Sequence, residues 1–165
     1  MAAIEDRDGI RWPEEFSPAG APIHVRNELA MSAPPEAVWA WLVRAGSWPS
    51  WYPNSRDVRI DANGVQLAPG VRFRWHTFGV DIESRVLEFV PCERIGWDAR
   101  GLGVRAYHAW LLRRTPAGCL VETEETQHGW LARLGQLLMP RRMHRGHQVW
   151  LDALHTKALG GPPQP

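Results

Sequence analysis

The chain of 165 residues has the length of one domain, and its 44 % apolar and 22 % charged residues exclude a disordered or fibrous protein. The net charge is only +1, so the charge gives no general attraction to nucleic acid. No apolar run approaches the roughly 20 residues that span a bilayer, and the acidic start does not resemble a signal peptide. We therefore expect a cytoplasmic protein without stable membrane insertion, in which both cysteines are reduced.

The two ends of the chain differ in composition from its middle. Residues 1–21 are polar and interrupted by prolines, with apolar anchors at Ile10, Trp12 and Phe16. We interpret them as an N-terminal arm that lies on the domain. Residues 160–165 consist mainly of glycine and proline, which predicts a disordered tail. The predicted domain spans residues 22–159.

The domain is predicted to begin with a strand and a helix. Apolar and polar residues alternate over 23–31, which is typical of a half-buried strand. Pro34 and Pro35 then fit the first turn of a helix that ends at Gly46. Residues 48–53 contain two tryptophans and a tyrosine and predict a compact aromatic turn or short helix.

Six further strands follow, separated by short turns rich in glycine and proline. They are predicted at 56–61, 70–78, 80–90, 94–100, 104–114 and 119–128. Connections this short require antiparallel hairpins. Three hairpins then place Trp75 opposite Ile82, Trp97 opposite Ala106, Ile95 opposite His108, and His108 opposite Glu125. These registers agree on one inner face, formed by Val71, Phe73, Trp75, Ile82, Ser84, Val86, Ile95, Trp97, Ala99, Ala106, His108, Trp110, Leu112, Val121, Thr123, Glu125 and Gln127.

Residues 130–159 are predicted to form one helix, bent near Pro140. Its apolar residues follow the i, i+3, i+4 spacing of a helix that packs on one face, and its arginines lie mostly elsewhere. A basic amphipathic helix can lie on a membrane surface. We favour the alternative, a helix packed on the sheet with a solvated arginine face.

The order of these elements, with several short motifs, resembles the polyketide cyclase/dehydrase branch of the START-like (SRPBCC, Bet v 1-like) superfamily. The motifs are APPEAVW at 33–39, WPSW at 48–51, PGVRFRW at 69–75, VLEFVP at 86–91, IGW at 95–97, HAW at 108–110 and ETEE at 122–125. The resemblance implies an α+β helix-grip fold, in which a curved, antiparallel, seven-stranded sheet wraps a long C-terminal helix around an apolar cavity. Members bind or transform polyketides, lipids and other apolar molecules, and they share no universal catalytic residues.

His108 and Glu125 are the candidate catalytic residues. Facing positions on neighbouring antiparallel strands place their Cβ atoms about 5 Å apart. In an apolar cavity the carboxylate would orient one imidazole nitrogen and leave the other free for proton transfer. Such a pair could enolise a β-keto chain, promote an aldol closure or expel water. The alternative is a buried polar pair that satisfies itself or anchors a ligand without chemistry.

The candidate substrate-binding residues are mostly aromatic. Indoles on the inner face could form flat walls for polyenes or aromatic rings, or they could fill the interior. Polar candidates on the same face or on the long helix could contact polar atoms of a ligand, and the family places Tyr52 near the mouth. The full set is Trp75, Phe73, Trp97, Trp110, Ser84, Thr123, Asn27, Tyr52, His147 and Trp150.

No cofactor or metal is expected. His144 and His147 lie three residues apart on the predicted helix, but no carboxylate or cysteine is spaced to complete a metal site. Residues 101–106 match a loose dinucleotide-binding pattern, yet a strand follows where that fingerprint needs a helix. We therefore expect an apolar small-molecule partner, no nucleic acid, and a monomer or homodimer. The leading hypothesis is a polyketide cyclase, aromatase or dehydratase that uses acid–base catalysis, and the alternative is a non-catalytic carrier or sensor of a lipid-like or aromatic ligand. A third hypothesis is a partner-binding module with a filled core.

Overall fold

Seven strands form one antiparallel sheet in the computed structural model, which describes residues 9–61 and 64–164. The strands lie in the order β1-β7-β6-β5-β4-β3-β2, so the first strand pairs with the last. Their bounds are Ile23–Met31 (β1), Ser55–Ile60 (β2), Arg72–Thr77 (β3), Val80–Val90 (β4), Arg94–Gly101 (β5), Val104–Thr115 (β6) and Gly118–His128 (β7).

Three α-helices accompany the sheet in the described part of the chain: α1 (Pro35–Leu42), α2 (Trp130–Leu138) and α3 (Arg142–Leu159). Short 3-10 turns occupy Glu14–Phe16, Pro18–Gly20 and Ala45–Ser50. Helix α3 packs on the inner face of the sheet, where Trp150 lies 5.0 Å from Trp110 between ring centroids. The predicted α+β helix-grip architecture is confirmed. No helix in the described ranges is both long and apolar enough to cross a bilayer.

Two of the three predicted hairpin registers are confirmed. Trp75 lies opposite Ile82, and His108 lies opposite Glu125. The β5–β6 register was wrong by two residues, because Trp97 lies opposite His108 rather than Ala106, and Ile95 lies opposite Trp110. The shift arises because the two-residue turn lies at residues 102 and 103, one position later than the predicted register implies, with Gly103 at a φ of 66°. A shift of two residues keeps every side chain on its predicted face.

The predicted single C-terminal helix is instead two helices. Helix α2 ends at Leu138 and α3 begins at Arg142. Proline at position 140 cannot donate a backbone hydrogen bond, and it disfavours the helical conformation of the residue before it. Met139 accordingly adopts φ −139° and ψ 65°. The break allows α2 and α3 to take different directions, so that each helix can pack independently of the other.

The outer face of the sheet is covered at β6 and β7 by residues of the N-terminal segment. Phe16 is fully buried and stacks on Tyr107 with 5.8 Å between ring centroids. The hydroxyl of Thr126 donates to the carbonyl of Phe16 at 2.9 Å. At the other end of the chain, Trp41 donates to the carbonyl of Gly161 at 2.8 Å. This contact places the start of the predicted disordered tail beside α1.

Candidate functional site

Glu125 lies between two histidines on the inner face of the sheet. His147 Nε2 donates to Glu125 Oε2 at 3.1 Å, and His108 Nδ1 lies 3.4 Å from the same oxygen. All three residues are buried. The β6–β7 register brings His108 to Glu125, and the packing of α3 on the sheet adds His147. The structure therefore joins the two candidate catalytic residues to a third ionisable group.

The carboxylate of Glu125 has donors on both oxygens. Gln127 Nε2 donates to Oε1 at 2.6 Å, while His147 donates to Oε2. Burial by itself raises the pKa of Glu125, but the hydrogen bond from His147 and the electrostatic interactions with both imidazoles outweigh burial and lower it. Glu125 is thus an ionised carboxylate held by its neighbours.

His108 is neutral and uses both ring nitrogens. Burial lowers the pKa of His108 to about 3, although the charge of Glu125 acts in the opposite direction. A carboxylate can only accept, so the single ring proton belongs on Nδ1 facing Glu125. Nε2 then accepts a hydrogen bond from the Thr123 hydroxyl at 2.7 Å. The sequence-based expectation of a free second nitrogen was therefore wrong, because Thr123, two residues before Glu125 on β7, shares its face.

The same three side chains offer two histidines and a carboxylate, a donor set that zinc or iron accepts. Their potential ligand atoms lie within 4.8 Å of one another. The rings of His108 and His147 are stacked, however, with 4.7 Å between centroids and 17° between planes. Their in-plane lone pairs consequently lie in nearly parallel planes and do not converge on one ion. Binding of a metal would require one ring to rotate.

The interior between sheet and helix is largely filled by aromatic rings. Trp150 stacks on Tyr52 at 4.4 Å between centroids and meets Trp48 edge-on at 5.0 Å. The remaining hollow measures about 50 Å³. An apolar cavity of about 150 Å³ is needed for a molecule the size of benzene. This hollow is thus too small for the ligand that the resemblance implies, because the indoles occupy most of the space around it.

Five of the candidate site residues line this hollow, namely Trp75, Trp97, Trp150, His108 and Glu125. His147 does not line the hollow, but it donates a hydrogen bond to Glu125, which does. The sequence prediction of which face these residues share was sound, while the space between them is smaller than expected.

The other candidates are engaged elsewhere in the core. Ser84 accepts a hydrogen bond from Trp75 at 3.3 Å, and Tyr52 stacks on Trp150 rather than lying at a mouth. Asn27 donates to the carbonyl of His144 at 3.1 Å and to Gln148 at 3.2 Å, which ties β1 to α3. Phe73 and Trp110 are fully buried among other rings and do not line the hollow.

A larger pocket of about 330 Å³ lies beneath α2. This pocket was not predicted from the sequence, because it depends on the position that α2 takes over β1, β6 and β7 once the chain breaks at Pro140. Its lining is mostly apolar and comprises Ile23, Phe78, Gly79, Val80, Val104, Gln127, Leu131, Ala132, Leu134, Gly135, Gln136, Leu138, Met139, Arg142 and Met143. One feature of the sequence indicates the pocket: the leucines of α2 are spread over more of the helix surface than a single packed face requires.

The pocket and the hollow share a wall. Phe78, Val80, Val104 and Gln127 line both spaces. Phe78 sits in the β3–β4 turn with a φ of 48°, and the guanidinium of Arg142 lies 5.8 Å from its ring centroid. A molecule in the pocket would therefore be separated from Glu125 by only one layer of side chains.

The profile of the family described as polyketide cyclase/dehydrase and lipid transport matches residues 22–158. The chain belongs to this family. The match covers most of the chain and confirms the resemblance drawn from the motifs. The polyketide cyclase/dehydrase family suggests binding of an apolar small molecule. Among curated protein sequences, none matches this chain.

Solved structures share the fold of this family member. A hypothetical protein from Helicobacter pylori is 28 % identical, covers 91 % of this chain and 96 % of its own, and has a TM-score of 0.85. The di-domain ARO/CYC StfQ of the steffimycin biosynthetic pathway is 14 % identical over 84 % of this chain and 51 % of its own, with a TM-score of 0.69. A protein from Thermus thermophilus is 20 % identical over 84 % and 98 %, with a TM-score of 0.68.

Proposed function

We propose that the protein binds an apolar small molecule in the pocket beneath α2 and acts as a carrier or sensor of that molecule. The observation that supports this proposal most directly is the pocket itself, about 330 Å³ in volume and lined mostly by aliphatic side chains. Ligand pockets in proteins are commonly of about 300–1,000 Å³, mainly apolar, with a few polar groups. Gln127 and Arg142 supply such polar groups here.

The chemistry of the buried cluster favours binding over catalysis. A general acid or base works best with a pKa near the operating pH. The pKa of His108 is about 3 and that of Glu125 is lowered, so neither group readily exchanges a proton at neutral pH. Both side chains also have their hydrogen bonds occupied within the protein. These features suit a stable polar cluster that supports the wall of the pocket from behind rather than one that exchanges protons with a bound molecule.

A second candidate function is acid–base catalysis on a polyketide-like chain. It is favoured by the position of His108 and Glu125 on the hollow, directly behind the wall of the pocket. A substrate that displaced the Phe78 ring would meet Glu125, and a carbonyl-bearing chain folded there could enolise, close by an aldol step or lose water. StfQ, whose fold is similar, is described as an ARO/CYC of a biosynthetic pathway.

The test begins with native mass spectrometry of the freshly purified protein, which should show a bound small molecule. Binding of the apolar dye N-phenyl-1-naphthylamine is then compared in two variants. Ala132→Phe fills the pocket and should weaken dye binding by about ten-fold or more, whereas Ala117→Phe makes the same change in an exposed turn and should leave it unchanged. Equal dye binding by both variants would contradict the proposed binding site beneath α2.

The two candidate functions, carrier and enzyme, differ in whether the bound molecule is chemically changed. A carrier releases it unchanged, and His108→Gln and Glu125→Gln then retain binding. An enzyme converts it, and the same two variants lose turnover while dye binding survives. Conversion that persists at full rate in both variants would contradict the acid–base assignment.

A further inference from the structure

Helix α2 exposes an apolar face that nothing in the described structure covers. Trp130, Leu134, Leu137 and Leu138 are 62 %, 43 %, 79 % and 67 % exposed. Their spacing of i, i+4, i+7 and i+8 places them on one side of the helix. The inner side of α2, including Leu131 and the buried Ala132, faces the pocket, and Leu134 and Leu138 contribute to the lining of the pocket while remaining exposed. Helix α2 is thus apolar on two sides, and its outer side is left largely uncovered by the fold.

The neighbouring β5–β6 turn extends this face. Leu102 at its tip is 77 % exposed. Gly103 beside it lies so close to Trp130 that a Cβ there would be 2.6 Å from the indole. Leu102 and Trp130 therefore belong to one surface, which we call the α2 face and define as Leu102, Trp130, Leu134, Leu137 and Leu138. A soluble monomer rarely exposes so many large apolar side chains together without a use.

The segment that forms and follows α2 contains arginines and no acidic residues. Between Glu125 and Asp152 the sequence has no aspartate or glutamate but has four arginines, at 133, 141, 142 and 145, in a chain of net charge +1. All four are exposed. Among the described residues none of the four forms an ion pair, and Arg142 alone contacts a ring, that of Phe78. Their charge is thus left for an external partner.

We infer that the α2 face docks the protein onto an anionic lipid bilayer. Apolar side chains on one side of a helix, flanked by arginines, are the arrangement that binds the interface of a charged membrane. A second copy of this chain would bring four arginines against four like charges, so charge opposes self-association through this face. The inference does not depend on the proposed carrier function, although docking would turn the roof of the pocket towards the lipid.

The experiment is vesicle flotation of the full-length protein. Vesicles of phosphatidylcholine with about 30 % phosphatidylglycerol should bind it at about 0.1 M salt, and pure phosphatidylcholine or about 0.5 M salt should release most of it. Each arginine near the surface contributes a factor of about five to partitioning. Arg133→Glu with Arg141→Glu should therefore reduce binding by about 25-fold or more. Arg72→Glu with Arg85→Glu, exposed on β3 and β4, is the charge-matched control and should bind nearly as wild type.

The apolar contribution is tested separately. Leu137→Ser with Leu102→Ser should lower binding by about ten-fold or more, while Leu159→Ser, at an exposed leucine of α3, should have little effect. Hydrogen exchange of the wild-type protein gives a measurement that needs no variant, since amides of 130–139 should gain protection only with anionic vesicles. No binding to anionic vesicles, or equal binding by the Leu137/Leu102 variant, would overturn the inference. Dimerisation that depends on the same leucines without lipid would overturn it in favour of a protein partner.

Discussion

The ring of Phe78 occupies the space that a side chain at position 146 would need. A Cβ at Gly146 would lie 2.3 Å from Cζ of Phe78. Helix α3 therefore approaches the β3–β4 turn as closely as it does only because residue 146 is glycine. Phe78 forms part of the wall between the pocket and the hollow, so this contact fixes the wall in place.

Gly146→Ala should destabilise the protein although alanine is the better helix former. The added methyl group must displace the Phe78 ring, and overpacking of this kind costs about 1–3 kcal/mol. Gly135→Ala in α2 is the control, because nothing lies within 4 Å of a Cβ there. That variant should gain about 0.5–1 kcal/mol from helix propensity. Urea unfolding measures both, and a stabilised Gly146→Ala would contradict the packing described here.

The hydrogen bond between His147 and Glu125 should appear as a coupling energy. Replacing His147 by leucine leaves a buried carboxylate with one donor fewer, which costs about 3–5 kcal/mol. Replacing Glu125 by leucine as well removes that charge. Glu125→Leu should therefore cost less stability in the His147→Leu variant than in the wild-type protein. We expect an interaction energy of about 1–3 kcal/mol from a double-mutant cycle in urea. Additive effects would show that the two side chains do not interact in the folded protein.

Stability should fall with decreasing pH from about 6.5 downward because of His108. Its folded pKa is about 3 against 6.5 for an ordinary histidine, so the unfolded chain takes up a proton in this range that the folded chain excludes. The free energy of unfolding then drops by about 1.4 kcal/mol per pH unit in the steep part of the range. Glu125, whose pKa is lowered from 4.5, adds to the loss below about pH 4.5.

Urea unfolding at several pH values measures this slope. His108→Gln removes the titrating group and should flatten the profile between about pH 6.5 and 4.5. His144→Gln, at an exposed position of α3, controls for the loss of a histidine as such. An unchanged slope in His108→Gln would contradict the burial of a neutral imidazole at this position.

Phe16→Ala should show how much the N-terminal segment contributes to the domain. The ring is fully buried on Tyr107, and Phe→Ala changes in a core cost about 3–5 kcal/mol. The neighbouring Glu15→Ala removes only an exposed ion pair with Arg105, of 3.2 Å, and should cost less than about 1 kcal/mol. Thermal unfolding of both variants is the measurement, and a small effect of Phe16→Ala would mean that this segment is dispensable for stability.

The strands were predictable because one face of the sheet is packed and the other is mostly polar. Alternation placed His108 and Glu125 side by side, and the short turn after β6 left no other register. The β5–β6 turn offered Gly101 and Gly103 as alternatives, and nothing local distinguishes them, so the register there was two residues off. The irregular pairing of β2 around Asp57, which has a φ of 53°, has no pattern of its own in the sequence.

The site was less predictable than the fold because it depends on how separate elements pack. Pro140 marks the break between α2 and α3, but not the direction that α2 takes, and that direction creates the pocket. The position of His147 beside Glu125 follows from the placement of α3 across the sheet. Whether indoles line a cavity or fill it is decided by their rotamers, which a pattern of residue types does not determine.

The packed rings also give the folded chain an optical signature. Trp48, Trp97 and Trp150 lie within 5.0–6.3 Å of one another, so their excited states should couple and produce strong near-ultraviolet circular dichroism. This band reports side-chain order rather than backbone structure. Any treatment that loosens the packing of the interior but leaves the strands intact should abolish this band while the far-ultraviolet spectrum persists. The near-ultraviolet band can therefore be used to measure how ordered the core is.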